Sequence, residues 1–161
     1  MTFEWRAMRE ADLPAVLALS VRVHPGFPEG EAMFRNRLSL FPAGCLVLCG
    51  GGEIGGYAVS HPIRRYAPPP LDAILPGLPE AADDYYLHDV ALAPERRGRG
   101  HAASGIGRLL DLAARFETAS LVSVYGTGPF WARFGFRPAE KDMRAKLAPY
   151  GEGAIYMLRR N

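Results

Sequence analysis

The residues with the clearest chemical meaning lie between an apolar strand-like segment and a segment with helical periodicity, and they read Arg97-Gly98-Arg99-Gly100-His101-Ala102. Gly98 and Gly100 allow backbone conformations that a Cβ disfavours and let the chain approach a ligand closely. The first amides of a helix point outward without partners, and the helix dipole favours an anion beside them. This glycine run therefore predicts a loop that binds a pyrophosphate through its backbone amides.

Three kinds of phosphate-binding loop share this spacing, and the neighbouring residues separate them. A Walker loop needs Lys and then Ser or Thr after its last glycine, whereas His101 and Ala102 stand there. The dinucleotide fingerprint is matched by Gly98, Gly100 and Ala103, but too little sequence follows for a doubly wound domain, so an NAD-dependent oxidoreductase is a minor alternative. The third kind is R-x-x-G-x-G/A after an apolar residue and a proline, and the run matches it.

A second motif follows the first along the chain and reads Phe130-Trp131-Ala132-Arg133-Phe134-Gly135-Phe136. Together, the two motifs resemble those of the GNAT superfamily of acetyl-CoA-dependent N-acetyltransferases, with Trp131 in place of the tyrosine in F-Y-x-x-x-G-F. The resemblance is specific over residues 86–137. It implies a single GNAT-like α/β (α+β) domain over residues 1–161, with a mixed, twisted central sheet flanked by helices and with splayed central strands.

The same resemblance implies a cosubstrate and its contacts. Acetyl-CoA (coenzyme A) is expected, with its pantetheine held by the main chain around Val90 and Leu92 and packed against Trp131. The glycine run would hold the pyrophosphate, and the Arg99 side chain would add positive charge. The cofactor-binding candidates are therefore Val90, Leu92, Arg97, Gly98, Arg99, Gly100, His101, Ala102 and Trp131.

Amide formation from a thioester needs a neutral amine and a leaving thiolate. An alkylamine is neutral in only about one part in a thousand at pH 7.4, so a nearby base is useful. His88 is the candidate base, because some relatives, including arylalkylamine N-acetyltransferases, carry histidine at the matching position. The alternative is a core histidine bonded to backbone. Trp131 cannot supply a proton, so Tyr125 is the candidate acid, unless it only packs and the thiolate leaves unassisted.

Other polar residues are weaker candidates. Because side chains alternate along a strand, Asp89 is expected on the face opposite His88, paired with an arginine or a helix terminus. Glu29, Glu31 and His61 are further candidates for the acceptor side of the site.

The apolar pattern predicts the elements that must position these groups. Strands are expected at residues 3–8, 45–49, 54–60, 85–92, 121–125 and 154–158. Helices are expected after Asp12, around Met33 to Leu40, from the glycine run to Phe116, and within 126–134. Residues 50–53 predict a glycine-rich hairpin turn, and the proline-rich residues 62–82 predict a long loop that could cover the acceptor site.

The composition of the chain limits the classes of function that can be expected for it. A net charge of +2 in 161 residues gives no general reason to expect nucleic-acid binding. No signal peptide or run of about 18 apolar residues is present, so no membrane association is predicted and a cytoplasmic location is expected. Within one strand Cys45 and Cys49 would be about 13 Å apart, too far for a disulfide. The histidines at 24, 61, 88 and 101 are scattered, so no metal is expected.

These observations predict an N-acetyltransferase that moves an acetyl group from acetyl-CoA to a primary amine, a small molecule or a peptide, by direct attack on the thioester. A homodimer is compatible with the family. The missing tyrosine keeps open a non-catalytic acyl-CoA-binding sensor or regulatory module on the same fold.

Overall fold

A single mixed sheet of seven strands organises the computed structural model, which describes residues 2–161. The strands are β1 (Glu4–Ala7), β2 (Cys45–Gly50), β3 (Glu53–Ile63), β4 (Asp84–Leu92), β5 (Thr118–Ser123), β6 (Arg137–Pro138) and β7 (Ile155–Arg160). Their order across the sheet is β1-β2-β3-β4-β5-β7-β6, and the β4–β5 pair is parallel. The predicted fold class is confirmed.

Helices cover both faces of the sheet because each carries an apolar stripe. They are α1 (Leu13–Val23), α2 (Glu31–Leu40), α3 (His101–Ala113), α4 (Gly128–Ala132) and α5 (Arg144–Leu147). Residues of α1 and α2 pack with Val47, Tyr57 and Val59 on one face. Residues of α3 pack with Leu46 and Ala58 on the other face. Because these strand positions alternate, each core layer takes every second residue of β2 and β3.

Two predicted connections appear in the structure with small changes. The hairpin between β2 and β3 turns at Gly51 and Gly52, whose φ angles are +57° and +78°. Positive φ at both positions suits the right-handed twist of the strands. The long loop covers residues 64–83, because β3 continues through Pro62 and Ile63 before the chain leaves the sheet.

The differences from the predicted boundaries lie mainly near the site. β5 ends at Ser123, so Tyr125 lies in the following turn and not in the strand. Phe116 lies beyond the end of α3, and the short strand β6 was not predicted. Cys45 and Cys49 are both free thiols. Across residues 2–161, the helices are too short or too polar to cross a bilayer.

Candidate active site

The candidate site is an opening between the central strands β4 and β5. The strands pair only from Asp84 opposite Thr118 to Tyr86 opposite Ser120, and they diverge beyond that point. The buried Asp84 carboxyl group accepts hydrogen bonds from the Ser120 hydroxyl at 2.5 Å and from the Thr118 hydroxyl at 2.9 Å. These bonds tie the strands together at the closed end, and the other end is open to a ligand.

A groove of about 780 Å³ runs from this opening to the start of α3, and we call it the long groove. It brings together every predicted cofactor residue except Arg99, namely Val90, Leu92, Arg97, Gly98, Gly100, His101, Ala102 and Trp131. Arg99 is exposed outside the lining. Residues that are adjacent in the sequence thus form one wall of the groove.

The glycine run has the backbone geometry of an anion-binding loop. Gly98 and Gly100 have φ angles of +77° and +82°, and Gly100 is the residue from which α3 begins. The Arg97 amide donates to the Pro94 carbonyl at 3.3 Å, and the Arg97 guanidinium donates to the Leu92 carbonyl at 3.2 Å. The amides that a ligand can use therefore begin at Gly98, one residue later than predicted, and continue into the first turn of α3.

Phe3 and Trp5, at the start of the chain's first strand, hold this loop against the sheet. The Trp5 indole Nε1 donates to the carbonyl of His101 at 2.8 Å. A Cβ on Gly105 would lie 2.6 Å from the Trp5 ring, so only glycine lets α3 approach this closely. The Arg96 guanidinium lies 4.0 Å from the centre of the Phe3 ring. The direction of the first turn of α3 is thereby fixed by packing.

A smaller inner cavity of about 170 Å³ lies deeper in the opening, on the side of α1 and α2. Its lining includes Phe27, Glu29, Leu71, His88, Asp89 and Tyr150. The inner cavity meets the long groove at a junction, defined here as the residues that line both: His24, Val90, Tyr125, Thr127, Phe130 and Trp131. Leu71 belongs to the proline-rich loop, so that loop does cover part of the cavity.

His88 lies at a β-bulge and forms a pair with Glu29. The register of β3 against β4 passes from Val59–Asp89 to Ser60–Leu87, which leaves His88 without a partner on β3. Its Nε2 lies 2.8 Å and 3.0 Å from the two Glu29 carboxylate oxygens. Because a carboxylate only accepts, Nε2 carries the hydrogen. Nδ1 has no hydrogen-bond partner among residues 2–161, so it is free to accept a proton.

The Glu29 carboxylate is fixed from its other side by the proline-rich loop. The Asp72 amide donates to Glu29 Oε2 at 2.9 Å, and Asp72 Oδ1 accepts from the Gly30 amide at 2.8 Å. The side chains of His88 and Glu29 are 1% and 6% exposed. The pair is therefore enclosed and held in one orientation.

The expectation that Asp89 faces away from His88 is wrong. The bulge adds a residue to β4 and interrupts the alternation of side chains, so both residues face α1, α2 and the inner cavity. Asp89 Oδ1 lies 2.9 Å from His24 Nε2, and Asp89 Oδ2 accepts from the Tyr57 hydroxyl at 2.5 Å. Asp89 is thus paired with a histidine at the C-terminus of α1, and not with an arginine.

The environment of Asp89 changes the acidity of its two partners. Burial opposes the charged form of His24, but the hydrogen bond and the charge of Asp89 outweigh it, and the pKa of His24 is raised. Burial, followed by the charge of Asp89, raises the pKa of Tyr57 well above its ordinary range. Tyr57 therefore stays neutral and donates a hydrogen bond to Asp89, whereas His24 is the partner whose protonation is favoured.

Tyr125 lies at the junction in a strained backbone conformation. Its φ is +57°, which is rare for a residue other than glycine and is often found at functional sites. Its ring stacks on His24, with centroids 6.0 Å apart and planes 4° apart, and packs edge-on to Phe27 at 5.3 Å. The side chain is 60% exposed, and burial and then the charge of Asp89 raise its pKa. The alternative expectation is that Tyr125 only packs at the end of a strand. Because most of the residue is exposed, packing involves only part of it.

The aromatic motif divides into a core residue and groove residues. Phe136 is fully buried, whereas Phe130, Trp131 and Phe134 line the long groove. Trp131 packs edge-on to Phe136 with ring centroids 5.8 Å apart. The indole is thus anchored on the core while part of it faces the groove.

The remaining acceptor-side candidates have different positions. Glu29 lines the inner cavity, but Glu31 does not and instead approaches Arg35 at 3.5 Å. His61 is fully buried, with Nε2 3.3 Å from the Arg37 Nε that donates to it. Burial, then the charge of His88, lowers the pKa of His61 to about 3, so it stays neutral. His61 therefore belongs to the core beneath the site.

His24 and Tyr57 were not identified from the sequence. His24 follows α1 immediately before a Pro-Gly loop, and no local spacing links it to Asp89. The polar pair in an otherwise apolar strand, His88 and Asp89, was the available signal, because buried polar groups need partners. That signal identifies the member of each pair that lies on β4, but it does not say which residue elsewhere in the chain is its partner.

Comparison with known proteins gives one family match and many folds of the same kind. The model of the acetyltransferase (GNAT) family matches residues 5–136. Among proteins with curated descriptions, none matches this sequence significantly. The loading GNATL domain of CurA from Lyngbya majuscula is 15% identical, covers 99% of this chain and 98% of its own, and superposes with a TM-score of 0.80.

Two further structures contain coenzyme A groups. Naa50 from Arabidopsis thaliana, in complex with the bisubstrate analogue CoA-Ac-MVNAL, is 10% identical, with a TM-score of 0.74 and full coverage of both chains at 100%. N-acetylglutamate synthase from Neisseria gonorrhoeae, complexed with coenzyme A and N-acetyl-glutamate, is 17% identical with a TM-score of 0.74, over 99% of this chain and 35% of that chain. At these identities the likeness concerns the fold.

Proposed function

The chain belongs to the acetyltransferase (GNAT) family, and on that basis we propose that it transfers an acetyl group from acetyl-CoA to a primary amine. The observation that carries this proposal is the junction between the long groove and the inner cavity. One end of the combined opening has free backbone amides, and the other has a histidine oriented by a carboxylate. An acetyl donor and an amine could meet there and nowhere else along the groove.

The long groove fits the parts of acetyl-CoA. The amides from Gly98 to Ala102 and the start of α3 would bind the pyrophosphate, since they are unpaired and point along the helix dipole. The main chain at Val90 and Leu92 lies where β4 leaves β5, so its polar groups can reach pantetheine, except that the Leu92 carbonyl already accepts from Arg97. Trp131 would pack against the pantetheine arm, and the exposed Arg99 would add long-range charge.

His88 is the proposed base. Its Nε2 hydrogen is held by Glu29, so Nδ1 is the nitrogen that would take a proton from the amine, directly or through one water molecule. Exposing the lone pair of an alkylamine at pH 7.4 costs roughly 4 kcal/mol in water. A buried imidazole held in one orientation would offset part of this cost. The same geometry makes Glu29 a positioning residue.

Tyr125 is the proposed hydrogen-bond donor to the sulfur of the departing coenzyme A. It lines both cavities, unlike Trp131 at the family's usual position, whose indole is only a donor and cannot release its proton. Because the pKa of Tyr125 is raised, its hydroxyl stays protonated and serves as a donor more readily than as an acid.

The inner cavity favours an acceptor with an apolar body and no carboxylate. Its lining contains the carboxylates of Glu29 and Asp89 and five aromatic side chains, but within residues 2–161 no Lys or Arg lines it. The carboxylate of an amino acid would therefore lie beside two other carboxylates with no Lys or Arg to pair with it, which is costly. A cavity of about 150 Å³ is enough for benzene, so the measured volume suits a single-ring amine.

A matched pair of amines tests the proposal. Phenethylamine and L-phenylalanine differ by one carboxylate, and release of the coenzyme A thiol reports transfer from acetyl-CoA to either of them. We expect phenethylamine to react at least tenfold faster in kcat/KM. Equal rates would contradict the acceptor class. Binding of acetyl-CoA without transfer to any primary amine would favour the non-catalytic acyl-CoA-binding module instead.

A further inference from the structure

A second carboxylate–histidine pair lies at the junction, beside the pair that the proposed function uses. His24 Nε2 is hydrogen-bonded to Asp89 at 2.9 Å, and Asp89 is held in turn by the Tyr57 hydroxyl at 2.5 Å. His24 Nδ1 is buried and has no hydrogen-bond partner among the described residues. His24 comes from the end of α1 and lines both cavities, whereas His88 lines only the inner cavity.

We propose that His24 is the catalytic acid of the acetyl transfer, and that its Nδ1–H gives a proton to the departing coenzyme A sulfur. The inference rests on the proposed function and adds a residue to it. It follows from the position of His24 at the junction, from its fixed contact with Asp89, and from the replacement of the family's tyrosine by Trp131. Asp89 and Tyr57 act as positioning residues.

With two histidines, the source and the destination of each proton in the transfer are defined. The amine nitrogen forms a bond to the carbonyl carbon and loses a proton to His88 Nδ1. The carbon–sulfur bond breaks, its electron pair goes to sulfur, and His24 Nδ1 supplies the proton that makes the free thiol. His24 ends neutral and His88 ends protonated. Exchange with water after product release restores both, since both histidines line the inner cavity, which meets the long groove at the junction.

The groups around His24 favour its protonated form. Its nearest partner is Asp89 on β4, and the charge of Glu29 acts in the same direction, whereas burial and the charge of Arg97 act against protonation. The Tyr125 ring stacked on it carries a neutral hydroxyl. The balance raises the pKa of His24, so the imidazolium persists to higher pH than that of an unperturbed histidine. Tyr125, whose own pKa is also raised, is the poorer proton source of the two.

Ionisation of the coenzyme A thiol in the complex tests this assignment without any acceptor amine. A nearby imidazolium stabilises a thiolate and lowers the pKa of the thiol. The ultraviolet absorbance of the thiolate is followed against pH in complexes of wild type, His24→Gln and Tyr125→Phe. Glutamine keeps a donor for Asp89 but cannot carry a proton. Tyr125→Phe is the comparison variant, because it keeps the ring stacked beside His24 and removes only the hydroxyl proposed to donate to the sulfur.

We expect the bound thiol of the wild type to ionise at lower pH than that of His24→Gln, with at least a tenfold larger thiolate fraction at pH 7.5, and we expect Tyr125→Phe to give a smaller shift in the same direction because it loses one hydrogen bond to the sulfur but no charge. Identical titrations of wild type and His24→Gln would overturn the assignment to His24. A shift in Tyr125→Phe alone would also overturn it, in favour of the tyrosine. Failure of the wild type to bind coenzyme A, measured first by calorimetry, would instead refute the proposed function on which it rests.

Turnover provides the second readout. With phenethylamine as acceptor, the pH profile of kcat for the wild type should fall on its alkaline side, because His24 loses its proton there. In His24→Gln, kcat should be about 100-fold lower and this alkaline limb of the profile should be absent. Asp89→Asn should move the limb to lower pH, because the charge that favours the imidazolium is gone. An unchanged alkaline limb in His24→Gln would contradict the proposal.

Discussion

The long groove and the inner cavity are built in different ways. One wall of the groove is formed by one stretch of chain, from Val90 through the glycine run into α3, and its ligand contacts are proposed to come from the backbone of that stretch. The inner cavity is lined by residues from five separate segments, among them His24, Glu29 and His88. A site made from backbone should tolerate many side-chain changes but no change of backbone conformation, and a site made from side chains should behave in the opposite way.

The largest effect is expected from a backbone change in the groove. At φ +82°, Gly100 has a conformation that a β-branched residue adopts only with strain, so Gly100→Val should weaken acetyl-CoA binding about 100-fold or more. The melting temperature without ligand should fall by only a few degrees, because the strain of about 1–3 kcal/mol is not increased by a clash: a Cβ there meets no atom within 4 Å. Calorimetric titration with acetyl-CoA measures the loss.

Gly107→Val is the matched control for this change. Gly107 lies in α3, also meets nothing within 4 Å, and needs no positive φ. Valine is no worse than glycine as a helix residue. Affinity for acetyl-CoA should therefore stay at the wild-type level in Gly107→Val. Equal losses in both variants would mean that bulk on this helix, and not the conformation of the loop, controls binding.

A side-chain change in the inner cavity should give the converse result. His88→Ala should lower kcat with a primary amine by about 100-fold, since a base is lost, and should leave acetyl-CoA affinity unchanged. Glu29→Gln should give a smaller loss of about tenfold, because the imidazole remains but its tautomer is no longer fixed. Steady-state kinetics and calorimetry together separate the two effects. Full activity of His88→Ala would exclude it as the base.

Loss of the Tyr125 hydroxyl at the junction should lower activity less than loss of the His88 imidazole. Tyr125→Phe keeps the ring stacked on His24 and removes one hydrogen-bond donor, worth about 1 kcal/mol. We expect kcat to fall less than about tenfold, with KM for acetyl-CoA nearly constant. A loss as large as that of His88→Ala would show that the tyrosine supplies the proton.

The smallest effect concerns stability and pH. Because folding raises the pKa of His24, the pair with Asp89 stabilises the folded state fully below the ordinary histidine pKa of about 6.5, and this contribution is lost as pH rises through the folded-state value. The difference in unfolding free energy between wild type and His24→Gln, about 1 kcal/mol or less, should thus shrink from pH 6 to pH 9. Urea denaturation measures it, and a difference that grows with pH would contradict the assignment.

The two regions also differed in how well the sequence predicted them. The glycine run and Trp131 were recognisable because each belongs to a motif of consecutive residues, and the structure places all the predicted cofactor residues except Arg99 in the lining of the long groove. The face of Asp89 was predicted wrongly, because a bulge at His88 depends on how β3 pairs with β4 and leaves no mark in the alternation of residues. His24 was missed because its partner is brought to it only by the tertiary fold.

Binding of acetyl-CoA tests the central claim most directly, because both the groove and the proposed chemistry depend on it. The melting temperature is measured with no ligand, with acetyl-CoA at a concentration about a hundredfold above a micromolar dissociation constant, and with NAD at the same concentration. Binding of this strength contributes about 2.7 kcal/mol and should raise the melting temperature by roughly 5–10 °C with acetyl-CoA alone. No rise with acetyl-CoA, or an equal rise with NAD, would contradict the account.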